Sequence, residues 1–359
     1  MNSMAKRQST APSPAGPFFA GYLAGENPLS GSTTQAIYDL SRQLFQHNPW
    51  RLIAGDDPFV LDLDPEAPPV YATVLGSGGE IFGLKVYENL AAQAFLHDLL
   101  DQQPHAMEHF LLRRQILSLE YTHRRDLDPP DRELLEAMGH AKTTAPNYPL
   151  FRAGRPGAHD WYLTEEEGVR FRAMLEALVW TFTGNTPEAI TGIFDQGGWP
   201  VLRRRDGQFT LQPGPVPARP VIRPDPASEP LPEALAELRT FAAQRSGAME
   251  MEAVVTHAVI GEKHERPSFL IVILAVDATT GMVLAPEAAK AADSIAPAFV
   301  RVLTQAAKGA GALPSAIHHA GSLHVIKPLL DALGIPLEQR QDLPKFQAAV
   351  GGLLEHLGA

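Results

Sequence analysis

The chain has no cysteine. Disulfides, thiolate metal sites and cysteine nucleophiles are excluded together, and nothing points to an oxidising compartment. Also missing is any apolar run near the ~18 residues that a membrane span needs. Positive charge is in deficit: 30 Lys and Arg stand against 41 Asp and Glu, a formal net charge of −11. A duplex-binding protein replaces phosphate counterions with Lys and Arg, so the global field opposes nucleic acid as a partner. A signal peptide is not evident either. Lys6 and Arg7 could begin one, but Pro12, Pro14 and Pro17 interrupt the chain before an apolar core develops. We expect residues 1–32 to form a disordered leader, and the protein to be cytoplasmic with no membrane partner.

The residues that are present describe a globular chain. The composition is 45% hydrophobic and 20% charged, and 359 residues suffice for two or three separate cores. Residues 213–232, PGPVPARPVIRPDPASEPLP, are dense in proline, which forbids regular helix and removes ladder donors. That stretch reads as a linker between a first domain over 33–212 and a second over 233–359.

In the first domain, Ile37, Leu40 and Leu44 recur at helical spacing behind Ser32 or Thr33 as a cap, and Pro49 ends the helix. FVLDLD, VYATVL and IFGLKVYEN are short and rich in β-branched and aromatic residues, so three strands are expected. AAQAFLHDLL reads as a helix, ILSLEYTH as a strand and PDRELLEAMG as a helix. LTEEEGVRFRAMLEALVWTF is a strong helix with Thr164 as its cap and three glutamates at its positive end. VLRRRDGQFTLQ is a hairpin turning on Asp206-Gly207. In the second domain a leading helix, PEALAELRTFAAQ, precedes strands AVVTHAVI, FLIVILAV and MVLAP. Helix IAPAFVRVLTQAAKGAG, strand AIHHA, helix LHVIKPLLDALG, strand IPLEQRQ and helix PKFQAAVGGLLEHL complete it. The order β-β-β-α-β-α-β-α predicts a mixed sheet with packed helices, so the fold class is α+β or α/β in two domains.

Few motifs carry chemistry. His105, Glu108 and His109 spell H-x-x-E-H, the zinc signature of inverted zinc peptidases. Two histidines four apart share a helical face, and the glutamate could serve as base. A third ligand is needed, and Glu165 to Glu167 or Glu176 are the candidates, but the triple glutamate is explained by its helix start. Pro104 also puts His105 in a first turn, so a solvated helix face is the simpler reading. GSGGEIFG at 76–83 comes after a strand, yet Ile81 stands where a dinucleotide fingerprint needs glycine and the next element is a strand, so a hairpin turn is expected. His97-Asp98 lacks the companions of a metal phosphohydrolase and reads as helix surface. Arg203, Arg204 and Arg205 alternate faces in a strand and read as a protected sheet edge. His257, His318 and His319 fall in expected strands of the second domain, with buried, bonded imidazoles as the plain interpretation.

The second domain is similar in order and spacing to the integrase-core branch of the ribonuclease H-like fold. FLIVILAVDATTGMVLAP, ALPSAIHHAGS and LHVIKPLLDALGIPL carry the likeness over roughly residues 250–356. That family cuts or joins nucleic acid with carboxylates holding two divalent ions. The resemblance implies one acid on the first strand, one just after the fourth and one in the last helix. Here the strand AVVTHAVI has His257 and no acid, the fourth strand leads into His319, Ala320 and Gly321, and the last helix offers Glu355. Asp277 matches the hairpin acid, which is not a ligand in that family. The domain's 10 Lys and Arg against 13 Asp and Glu also suit nucleic acid poorly. The whole chain further resembles a bacterial family built from two domains of unknown function. "NPWRLI" and "VYATVLGSGGEIFGLKVYEN" mark its first domain, and "VILAVDATTGMVLAP" and "LPSAIHHAGSLHVIKPLLDALGIPL" its second.

The expected function is therefore non-catalytic: binding or regulation, with a protein or small ligand as partner and no cofactor. A ligand groove is expected near His257, Asp277, His318 and His319. Trp50, Tyr71, Tyr87 and Trp161 are candidates for a recognition surface. The alternative is a metal-dependent hydrolase, either zinc peptidase-like through residues 105–109 or a divergent nuclease.

Overall fold

The computed structural model describes residues 20–102, 110–139, 145, 147–221, 232–262, 264–291 and 295–357. The chain builds two large sheets, each flanked by helices, and a small two-stranded one, and the fold is α+β with mixed sheets.

The first sheet comes from residues 59–214. Helix α1 (Gly31–His47) opens behind Ser30, whose hydroxyl accepts from Thr33 N–H, and Asn48 ends it in the left-handed region. Next come strands β1 (Phe59–Asp62), β2 (Val70–Leu75) and β3 (Phe82–Tyr87), then α2 (Leu90–Leu100), β4 (Ile116–Thr122), α3 (Pro129–Ala137) and β5 (Tyr148–Gly154). The long α4 (Glu165–Gly184) begins with a full capping box between Thr164 and Glu167. Helix α5 (Pro187–Asp195) leads to β6 (Trp199–Arg205) and β7 (Gln208–Gly214). The sheet order is β5-β4-β3-β2-β1-β6-β7, antiparallel except between β1 and β6. Alternation along the strands serves two layers. Ala72, Val74, Leu84 and Val86 join the core under α1 and α4. Val60, Tyr71, Tyr87 and Ile116 form one cross-strand row in the smaller core under α2. Two glycines permit close approaches. A Cβ on Gly83 would lie 2.1 Å from the Leu119 carbonyl oxygen, and one on Gly168 would lie 2.1 Å from Leu29 in the α1–α4 contact.

The second sheet comes from residues 249–339. After α6 (Pro232–Arg239), a short β8 (Arg245–Ser246) pairs with β12 (Leu313–Pro314). The main order is β11-β10-β9-β13-β14, from β9 (Met249–Ile260), β10 (Ser268–Asp277), β11 (Val283–Lys290), β13 (Ile317–His319) and β14 (Leu337–Gln339). The first three are antiparallel neighbours, and β13 and β14 run parallel to β9. Helix α7 (Ala296–Ala310) covers one face with Met249, Met251, Ile271 and Ile273. Helix α9 (Pro344–Leu357) covers the other with Val272, Leu274 and Val276. Between β13 and β14 run a 3-10 turn (Ser322–Ile326) and the short α8 (Lys327–Ala332).

Several expectations change. Residues 20–32, assigned to a disordered leader, belong to the first core through the buried Leu23 and Leu29. Strand β7 runs to Gly214, two residues into the expected linker, while 222–231 lie outside the described residues. The expected helix LHVIKPLLDALG is divided because Pro328 sits at the start of α8. Arg203–Arg205 do not line an edge, since β6 lies between β1 and β7. Among the described residues no helix is long and apolar enough to cross a membrane.

Candidate functional site

Strand β9 starts at Met249, four residues before the expected AVVTHAVI. The extension adds Glu250 and Glu252, which share a face because strand side chains alternate. They lie on the α9 side of the sheet, with Met249 and Met251 on the α7 side. Both are buried, at 4% and 6% exposure. The expectation that the first strand carries no acid is thus overturned. The cause is visible in MEMEAVV, which has the two-residue period of a half-buried strand but hides carboxylates where apolar side chains would normally stand.

A buried carboxylate needs donors, and backbone amides supply them. Glu252 Oε1 accepts from Ala253 N–H at 2.9 Å. Its Oε2 accepts from Ala320, Gly321 and Ser322 N–H at 2.6, 3.0 and 3.4 Å. Those three amides begin the loop that leaves β13. Glu250 Oε2 accepts from Phe346 N–H at 2.7 Å, within the first turn of α9. The amides of a helix start have no intrahelical acceptor, and the helix dipole favours a negative group there. One acid therefore fastens the β13 loop to β9, and the other fastens α9 to the sheet.

The residues expected near a ligand groove are spread over both faces of the sheet and along β9. His318 is level with Glu250 and Glu338 across β9, β13 and β14. Its Nε2 stands 3.5 Å from Glu338, while its Nδ1 is buried without a partner among the described residues. His319 points to the opposite face, where its ring meets His324 edge-on at 5.0 Å. Asp277 sits at the end of β10, level with Met249, and holds its own turn by accepting from Thr279 N–H, Thr280 N–H and Thr280 Oγ1. The Thr280 backbone and hydroxyl bonds keep its carboxyl below the ordinary range. His257 stands seven residues beyond Glu250 on β9, a separation of about 23 Å at strand rise. Among the described residues no group of three His, Asp or Glu side chains could hold a metal ion. His105, Glu108 and His109 lie outside the described residues.

His319 gives the site a pH dependence. It is 1% exposed, and burial, aided by His324, lowers its pKa from 6.5 to about 4. The unfolded chain takes up the proton first. The contribution is therefore complete above about pH 6.5 and is lost as pH falls toward about 4. Between about pH 7 and about pH 5, the urea midpoint should fall less in His319→Gln than in the parent. Circular dichroism checks this, and equal falls would show that the ring is reached by solvent.

The other expected positions are structural. Arg203 and Arg205 both hold Asp62, at 3.0 and 2.9 Å, across the β1–β6 pair. His97 is not helix surface but buried, with its ring stacked on Trp199 at 5.4 Å, while Asp98 pairs with Arg219. Tyr71 and Tyr87 are core residues, and Trp161 donates to Tyr22 C=O at 2.7 Å. Trp50 is buried too, but it also lines a cavity.

Residues 35–186 match the family model described as a domain of unknown function, DUF7309. Residues 234–354 match a second, DUF6930. No curated protein matches the chain. The chain therefore carries two domains of unknown function in tandem, the construction that its resemblance implied.

Proposed function

We propose that this is a non-catalytic, cytoplasmic binding or regulatory protein whose second domain is ribonuclease H-like. The strand order β11-β10-β9-β13-β14, with the first and fourth strands adjacent and parallel, supports that likeness. The first and fourth strands are where working relatives of the fold carry acids. The carrying observation is Glu252. Its two oxygens face four backbone N–H groups, from Ala253, Ala320, Gly321 and Ser322. A two-ion centre needs several carboxylate lone pairs aimed at one point. Here they are aimed at the backbone, and Glu250 faces the start of α9. The partner is a protein or a small ligand, because the net charge of −11 opposes nucleic acid.

One observation favours the divergent nuclease as second reading. Glu250, His318 and Glu338 form a row across three adjacent strands, with Glu252 two residues further along β9 on the same face. Titration with Mn2+ by calorimetry, paired with incubation on single- and double-stranded DNA, separates the two. The binding reading expects no saturable ion uptake and no cleavage. Stoichiometric Mn2+ binding together with DNA cleavage, both lost in Glu250→Gln, would favour the nuclease. Stoichiometric zinc in protein purified without chelator, lost in His109→Ala, would instead favour the peptidase alternative.

A further inference from the structure

The first domain contains a cavity of about 520 Å3, lined by residues from two separate stretches, 45–54 and 76–82. Its position is set by local chemistry. Asn48 closes α1 at φ 49°, a left-handed conformation that asparagine tolerates better than most residues. Pro49–Arg51 then form a 3-10 turn. That turn puts Trp50 in the core and leaves Arg51 exposed. Phe45 and Phe82 flank the indole, with ring centroids 5.5 and 5.1 Å from it. Gly76 makes the other wall possible. It has φ 129°, and a Cβ there would fall 2.6 Å from Phe82 and 2.9 Å from Trp50. The backbone thus lies directly against the rings.

The rim has two unusual features. Leu52 is an exposed large apolar side chain. The Arg51 guanidinium has no hydrogen-bond or ion-pair partner among the described residues, its backbone N–H donating to Asn48 C=O, whereas Arg203, Arg205, Arg170 and Arg219 are each held by a carboxylate. An unpaired guanidinium beside an aromatic floor, in a chain of net charge −11, is placed to accept a negative group from outside. The floor suits a flat apolar body, since aromatic rings pack well on one another in tilted or offset arrangements. Cavities of roughly 300–1,000 Å3 hold small ligands.

We infer that this cavity binds a small aromatic carboxylate, its ring against Phe45, Trp50 and Phe82 and its charge on Arg51. The inference is independent of whether the second domain is silent. It is tested on the full chain by calorimetry with 2-naphthoate and its neutral counterpart 2-naphthalenemethanol. Saturable one-to-one binding of the carboxylate is expected, tighter than the alcohol by about tenfold, the order of one charge-assisted contact at a partly exposed site. Arg51→Ala should lower carboxylate affinity to that of the alcohol and leave the alcohol and the thermal midpoint unchanged. In NMR spectra the indole N–H of Trp50, assigned with Trp50→Phe, should move on addition of 2-naphthoate. Absence of saturable binding, equal affinity in Arg51→Ala, or shifts confined to the other tryptophans would each overturn the assignment.

Discussion

Glu252→Ala is expected to destabilise the second domain by about 3 kcal/mol and to expose the amides of residues 320–322 to exchange. The substitution removes the acceptor for Ala320, Gly321 and Ser322 N–H and for Ala253 N–H. Stranding a buried donor costs about 1–3 kcal/mol, while water entering the partly buried loop recovers part of the sum. Glu252→Gln keeps one carbonyl oxygen, so it should show roughly half of the loss suffered by alanine. All four tryptophans lie in the first domain, so indole fluorescence is a poor reporter here. Circular dichroism in urea and amide exchange at 320–322 are the suitable measurements. Unchanged stability together with unchanged protection would mean that the carboxylate is not committed to the backbone. The reading of a silent site would then lose its main support.

The same residue shows where sequence reasoning stops. The acceptor at 252 and its donors at 320–322 are about 70 residues apart, and no local pattern connects them. MEMEAVV consequently reads as too polar to begin a central strand. Strand β5 is hidden for a related reason. YPLFRAG contains Pro149, which is acceptable because β5 is an edge strand, and Arg152, which is acceptable because the buried Asp131 meets it at 2.5 Å. Neither compensation can be read locally. Helix α5, which no strong pattern announces, is only nine residues long. By contrast, elements with strong local chemistry are legible. The Thr164–Glu167 capping box places α4, Asp206-Gly207 places the last hairpin of the first sheet, and glycines mark the β2–β3 turn. The candidate groove is less legible than the fold. Neighbours in sequence, His318 and His319, face opposite sides, and His257 lies far along β9. The aromatic cavity is half legible: "NPWRLI" and "GSGGEIFG" stand out as strings, but nothing in one dimension places them on the same wall.

The second large effect belongs to Arg266, and it decides whether the two domains are merely tethered or docked. The β9–β10 turn carries Arg266 into the first domain, where the side chain is 7% exposed. Its guanidinium donates to Ala153 C=O at 3.0 Å, Tyr162 C=O at 3.2 Å and Glu167 at 3.3 Å, with Glu26 at 3.4 Å. Beside it, His159 N–H donates to Pro267 C=O and Phe269 N–H to Gly157 C=O, so the backbones also pair across the boundary. Glu167 already serves the capping box of α4 and an ion pair with Arg155 at 2.6 Å. Burial raises its pKa, but the Arg155 bond and the Arg266 charge outweigh burial and hold it below the ordinary value. Arg266→Ala removes one fork from a largely buried network, and breaking a buried charge pair costs about 3–5 kcal/mol. Arg266→Lys should recover only a fraction, because an ammonium cannot present a planar fork to acceptors on three sides. Trp161 bridges to Ala153 beside the network, so its fluorescence should report the undocking directly. If the domains are only tethered, Arg266→Ala will leave the first domain's stability within about 0.5 kcal/mol of the parent, as an ordinary surface substitution does. If they are docked, the midpoint falls. The acid limb of stability also moves upward, because Glu167 keeps less of its depressed pKa and is protonated at higher pH.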